Sequence, residues 1–83
     1  MYRIKTSRQA EREIKKLKKI YRAAISQAIE DIKDDPYIGK PLIREHRGRY
    51  SYRIRVYRII YTINMIDKTV YIISAGHRAT VYD

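Results

Sequence analysis

From Ala10 onward the small and apolar residues recur at positions 14, 17, 21, 24, 28 and 32, with 25 and 29 alongside. That spacing keeps one face of a helix apolar as far as Asp34. One straight helix of this length would reach roughly 40 Å, too long for a small domain, so a helical pair is expected, bent near Lys18-Lys19-Ile20-Tyr21. Thr6-Ser7 followed by Gln9 reads as the start of the first helix, of the capping-box type. Ahead of it, YRIKT at 2–6 alternates and reads as a strand.

The run Asp34-Asp35-Pro36-Tyr37-Ile38-Gly39-Lys40-Pro41 carries the residues that stop helices and turn chains. After a loop through LIREHRGR the period changes to two: SYRIRVYRIIYTIN from 51, then VYIISA at 70–75. Asp67-Lys68 supplies a hairpin turn between these stretches. The alternation slips once, because Tyr52, Ile54 and Val56 have one parity and Ile59, Tyr61 and Ile63 the other. A turn or bulge near Arg55-Val56 restores a common face and leaves Arg53 and Arg58 together on the face away from the core. The order is strand, two helices, then three antiparallel strands (β-α-α-β-β-β). This is an α+β domain with the helices packed on one face of the sheet, occupying 1–83 as one unit.

Charge changes the picture. Nineteen Lys and Arg stand against nine Asp and Glu, a net charge of +10, which points to a polyanionic partner. No cysteine is present and only two histidines, so neither disulfides, nor a thiolate metal site, nor a cofactor is expected. The first residues form no apolar leader and no apolar run reaches membrane-spanning length, so a cytoplasmic protein without a membrane partner is expected. From Lys40 to Arg58 seven bases face one acid: Lys40, Arg44, Arg47, Arg49, Arg53, Arg55 and Arg58 against Glu45. Six of the seven are arginine, whose fork grips a phosphate at two points where lysine grips at one. These residues are candidate RNA contacts. Most of the nine tyrosines are expected to line a half-wet sheet, and one among Tyr50, Tyr52, Tyr57 and Tyr61 is a candidate for stacking on a base.

PYIGKPL, Arg47-Gly48, YRIIY at 57–61, GHR at 76–78 and VY at 81–82 stand in the order in which similar motifs stand in the RelE/ParE superfamily of toxins from toxin–antitoxin modules. The chain resembles that superfamily over nearly its whole length. In the RelE branch the resemblance implies endonucleolytic cleavage of mRNA in the ribosomal A site, with contacts to 16S rRNA. It matches Arg58 and Arg78 to catalytic arginines and Tyr82 to a catalytic tyrosine. Arg53 and Arg55 stand where that branch has lysines, and Arg47 matches its loop arginine. The chemistry is attack by the RNA 2′-OH on phosphorus, leaving a 2′,3′-cyclic phosphate and a 5′-OH. Tyr82 would take the proton, assisted by Arg53 or Arg55, while Arg58 and Arg78 hold the developing charge. His77 is a candidate general acid, since it titrates near neutrality.

Relatives often carry Gly-Asp where this chain has Arg55-Val56. Valine disfavours positive φ, so a different turn type is expected, with Arg55 inside it. The resemblance also implies an acidic antitoxin that masks the basic surface, and operator DNA bound only through that complex. A ParE-like toxin that inhibits DNA gyrase is the alternative, as is a non-catalytic RNA-binding module.

Overall fold

The computed structural model describes residues 2–77. The order is β1 (Arg3–Thr6), α1 (Arg8–Lys15), α2 (Lys19–Asp34), a 3-10 turn at Pro36–Ile38, β2 (Lys40–Pro41), a second 3-10 turn at Arg44–His46, β3 (Arg49–Ile54), β4 (Tyr57–Asn64) and β5 (Thr69–His77). The five strands form one sheet in the order β1-β5-β4-β3-β2. β1 runs parallel to β5, and every other pairing is antiparallel. The expected α+β architecture is present, with one strand that alternation did not announce. β2 is two exposed residues long, and its Pro41 has no N–H to donate, a property tolerated at a sheet edge.

The helical break falls at Lys16-Leu17-Lys18, slightly ahead of the expected bend. Leu17 N–H bonds back to the Ile14 carbonyl at 3.0 Å, tightening the last turn of α1, and Leu17 packs against the core. Ser7 is the N-cap of α1, its Oγ accepting from Ala10 N–H at 3.0 Å. Gln9 does not complete a capping box; it lies one position early for that and reaches Glu13 instead. The same Ser7 hydroxyl donates to the Ile73 carbonyl at 2.7 Å, tying the helix start to β5. Ser7→Ala is therefore expected to cost about 1–2 kcal/mol, the upper part of the range for a lost cap, read as a lower urea midpoint at unchanged slope.

One face of the sheet carries the core. Ile25, Ala28 and Ile32 of α2 and Ala10 of α1 pack against Tyr57, Ile59, Tyr61, Val70, Ile72 and Ala75. The parity slip is repaired as expected. Ile54 pairs with Tyr57 across a two-residue loop, Arg55-Val56, with Arg55 at φ 55°. Only the first loop residue takes positive φ, the sign pattern of a II′ turn, so Val56 escapes the strain a I′ turn would impose. β5 holds a second irregularity that alternation did not show. Tyr61 pairs with Ile72 but Ile60 pairs with Ser74, so Ile73 is an extra, bulged residue.

Candidate functional site

Strand register decides which side chains share the face turned away from the helices. Arg53 of β3 lies directly opposite Arg58 of β4, which lies opposite Gly76 of β5. The next row holds Lys40, Ser51, Ile60 and Ser74, and the one after it Arg49, Thr62, Tyr71 and Lys5. Arg58 is 7% exposed and Ile60 1%, so the middle of this face is covered while Arg53, Arg49 and Lys40 at its side are exposed. Like charges directly opposite one another in a sheet repel, and an anion held by both arginines lowers that repulsion. Gly76, without a side chain, leaves bare backbone beside Arg58.

A groove of about 560 Å³ opens next to this row. Ile38, Pro41, Leu42 and Ile43 form its apolar wall, and Lys40, Ser51, Tyr52 and Arg53 the other. It exists because β2 pairs only with Tyr50 and Ser51 and leaves β3 beyond them. Arg53 thus belongs both to the groove and to the arginine pair.

The loop that forms the groove is held from beneath. Tyr61, fully buried, donates its hydroxyl to the Pro36 carbonyl at 2.7 Å and accepts from Gly39 N–H at 3.0 Å. Burial pushes the Tyr61 phenol up to about 12; the Gly39 N–H works against this, and Tyr50, Asp35 and Tyr52 add to it. Tyr52 is likewise raised, by burial first and then by Asp31, whose carboxylate its hydroxyl meets at 3.4 Å.

The structure brings Lys40, Arg49, Arg53 and Arg58 onto one face. Arg44 and Arg47 stand exposed on the loop entering β3, with Arg44 at φ 61° and Gly48 at φ 92°. Arg55 lies in the β3–β4 turn, as its neighbour Val56 led us to expect, and so drops out of the RNA contacts of the arginine row. The expectation for His77 is corrected. His77 pairs with Tyr57, so its ring turns to the helix side, edge-on to Tyr57 with centroids 6.0 Å apart. The bulge at Ile73 causes this, and it separates His77 from Arg58. Tyr50, Tyr52, Tyr57 and Tyr61 all face the helices and join or flank the core, so none is offered to a base on the arginine face. Arg78 and Tyr82 lie outside the described residues.

Two features escaped the sequence reading. Tyr71, 37% exposed, is the one tyrosine on the arginine side among the described residues, with the Lys5 ammonium 5.9 Å from its ring centre. Glu13 of α1 accepts from Ser74 Oγ at 2.9 Å and from Ala75 N–H at 3.0 Å. Both depend on contacts more than sixty residues apart in the chain, and no linear signal marks them. Among the described residues no cluster of His, Cys, Asp and Glu could hold a metal, and no helix is long and apolar enough to cross a membrane.

Comparison places this arrangement, a helical pair on one side of a mixed sheet with arginines on the other, among the small toxins of type II toxin–antitoxin modules. The family described as ParE toxin of the type II toxin–antitoxin system parDE matches residues 4–82. The chain belongs to this family, and with it to the RelE/ParE superfamily. It is 36% identical to Toxin RelG of Mycobacterium tuberculosis over 83 residues, covering 98% of this chain and 95% of that protein. The RelBE2 toxin–antitoxin complex of Mycobacterium tuberculosis contains a chain 35% identical, with a TM-score of 0.86 over 93% of this chain and 98% of that one. The intact E. coli RelBE toxin–antitoxin complex shares the fold at 23% identity, with a TM-score of 0.80 over 93% of this chain and 96% of that one.

Proposed function

We propose that this toxin is an mRNA endoribonuclease that works in the A site of the ribosome. The observation that carries the reading is the Arg53–Arg58 pair, two guanidinium groups in direct register on the face away from the helices. A phosphodiester held by both would meet two positive charges, and be held most strongly when pentacoordinate phosphorus carries extra charge. The RNA 2′-oxygen attacks phosphorus, the bond to the 5′-oxygen breaks, and a 2′,3′-cyclic phosphate and a 5′-OH remain. Tyr82 takes the 2′ proton and Arg78 adds positive charge, both by resemblance to the RelE branch. With His77 on the helix side, the 5′-oxygen takes its proton from solvent. Lys40, Arg44, Arg47 and Arg49 guide the backbone toward the pair, and the groove beside Arg53 receives an adjoining nucleotide. The ribosome, through 16S rRNA, supplies the in-line geometry that so few groups cannot impose.

The relatives in the RelBE2 and RelBE structures are held by antitoxins. We assign this chain an acidic antitoxin too, with operator DNA bound only through the complex, and a place in the cytoplasm. The second reading is gyrase inhibition, favoured by the parDE description of the matching family. Mapping 5′ ends of messages after brief induction separates the two. Cuts within translated codons, with cyclic-phosphate ends, support the nuclease. Intact messages with supercoiling-defective DNA overturn it in favour of the second reading. Tight RNA binding without cleavage on ribosomes leaves only a binding module.

A further inference from the structure

β1 stops at Thr6, opposite Ile72, so the outer edge of β5 continues without a strand beside it. α1 takes that place and supplies the missing partners one after another. Ser7 N–H bonds the Ile72 carbonyl at 2.9 Å and Ser7 Oγ the Ile73 carbonyl at 2.7 Å. Glu13 Oε1 then accepts from Ser74 Oγ at 2.9 Å and Ala75 N–H at 3.0 Å, while Gln9 Nε2 lies 3.4 Å from Oε2. These contacts bracket the bulged residue, Ile73, on both sides.

The bulge decides what lies beside Arg58. With Ile73 extra, Gly76 is opposite Arg58 and His77 is opposite Tyr57. Sliding the end of β5 by one residue would put Ala75 against Arg58 and Gly76 against Tyr57, and would exchange the two faces for residues 74–77. We infer that Glu13 is a positioning residue: it holds the β5 bulge in register and thereby selects which of residues 74–77 share a face with the arginine pair. Oε1 already receives two donors, so its part is to hold the strand, and proton transfer is left to others. The consequence for cleavage rests on the nuclease reading; the register lock does not.

The test compares Glu13→Ala with Glu13→Gln, whose amide oxygen still accepts both bonds. Cross-strand backbone contacts by NMR report register directly. Wild type and Glu13→Gln should show Arg58–Gly76 and Tyr57–His77 contacts. Glu13→Ala should lose these, gain Arg58–Ala75, and keep Tyr61–Ile72, which precedes the bulge. On ribosomes Glu13→Ala should lower kcat at nearly unchanged KM, and Glu13→Gln should restore it. A Glu13→Ala protein that keeps the Arg58–Gly76 contact overturns the proposal. Should that variant not fold, Ser74→Ala decides. It removes one of the two donors, and Ala75 amide exchange should quicken about fivefold to tenfold, a single bond's worth, with Val70 unchanged. Unaltered Ala75 protection overturns the lock. Because register is read without RNA, failure of the nuclease reading leaves this result distinguishable.

Discussion

Arg58→Ala is expected to lower ribosome-dependent cleavage about 10²–10³-fold, the usual effect of removing one preorganised donor from a site of developing charge. The loss should fall on kcat, because the guanidinium contributes most when phosphorus carries its extra charge. Arg58→Lys should recover only part of the rate, since an ammonium keeps the charge but not the two-point grip. A second measurement separates chemistry from folding. A 2′-deoxy oligonucleotide, which lacks the nucleophile, should raise the melting temperature of wild type by mass action. It should raise that of Arg58→Ala less, because one half of the pair facing Arg53 is gone. Cleavage by Arg58→Ala at the wild-type rate would refute the assignment of this face.

The second large effect concerns the loop that builds the groove. A Cβ placed on Gly39 would fall inside contact distance of the Tyr61 hydroxyl, and 3.1 Å from the Ser51 carbonyl oxygen. Tyr61 cannot swing aside, because it is buried and bonded to the Pro36 carbonyl. Gly39→Ala is therefore expected to cost about 2–3 kcal/mol, from overpacking and strained hydrogen bonds. For a domain of this size that lowers the melting temperature by roughly 10–20 °C. Gly39 has φ −77°, so the cause is space and not backbone strain. Tyr61→Phe should cost about 1–3 kcal/mol by stranding the Pro36 carbonyl and the Gly39 N–H.

The same residue sets an alkaline limit. Burial pushes its phenol up to about 12 in the folded protein, from 10.0 for an exposed tyrosine. Between those values the unfolded chain has lost this proton and the folded one has kept it. Stability contributed by the neutral phenol is thus complete below pH 10 and declines by about 1.4 kcal/mol per unit above it. In Tyr61→Phe that part of the decline should disappear from the curve of urea midpoint against pH.

Much of this fold was legible wherever periodicity and burial agree. The α2 face through Ile25, Ala28 and Ile32 and the alternation of β4 are both local patterns, and both were recovered. The parity slip at Arg55-Val56 was legible too, because a side chain on the wrong face cannot be hidden by packing elsewhere. What stayed hidden was non-local. The extra residue in β5 keeps its hydrophobic run unbroken, so Ile72-Ile73 looks the same with or without a bulge; only α1 distinguishes them. That one unseen residue sent His77 to the helix side. The tyrosines line the half-buried sheet as expected, but the sequence did not say which one would face the other way, since a phenol there has the same signature whether it packs or stacks. The arginine pair was legible because charge tolerates no such ambiguity: Arg53 and Arg58 both avoid the core, and avoidance places them together.

The position of β5 bears on how the chain is made. It lies between β1 and β4, although among the described residues it is the last strand synthesised. During translation β1 therefore has no neighbour to bond until Thr69–Ile72 have cleared the exit tunnel. Until then α1 lacks its anchor and Arg58 of β4 has no strand on its far side. A protein dangerous to its own producer is thereby kept without a finished sheet while its synthesis is under way.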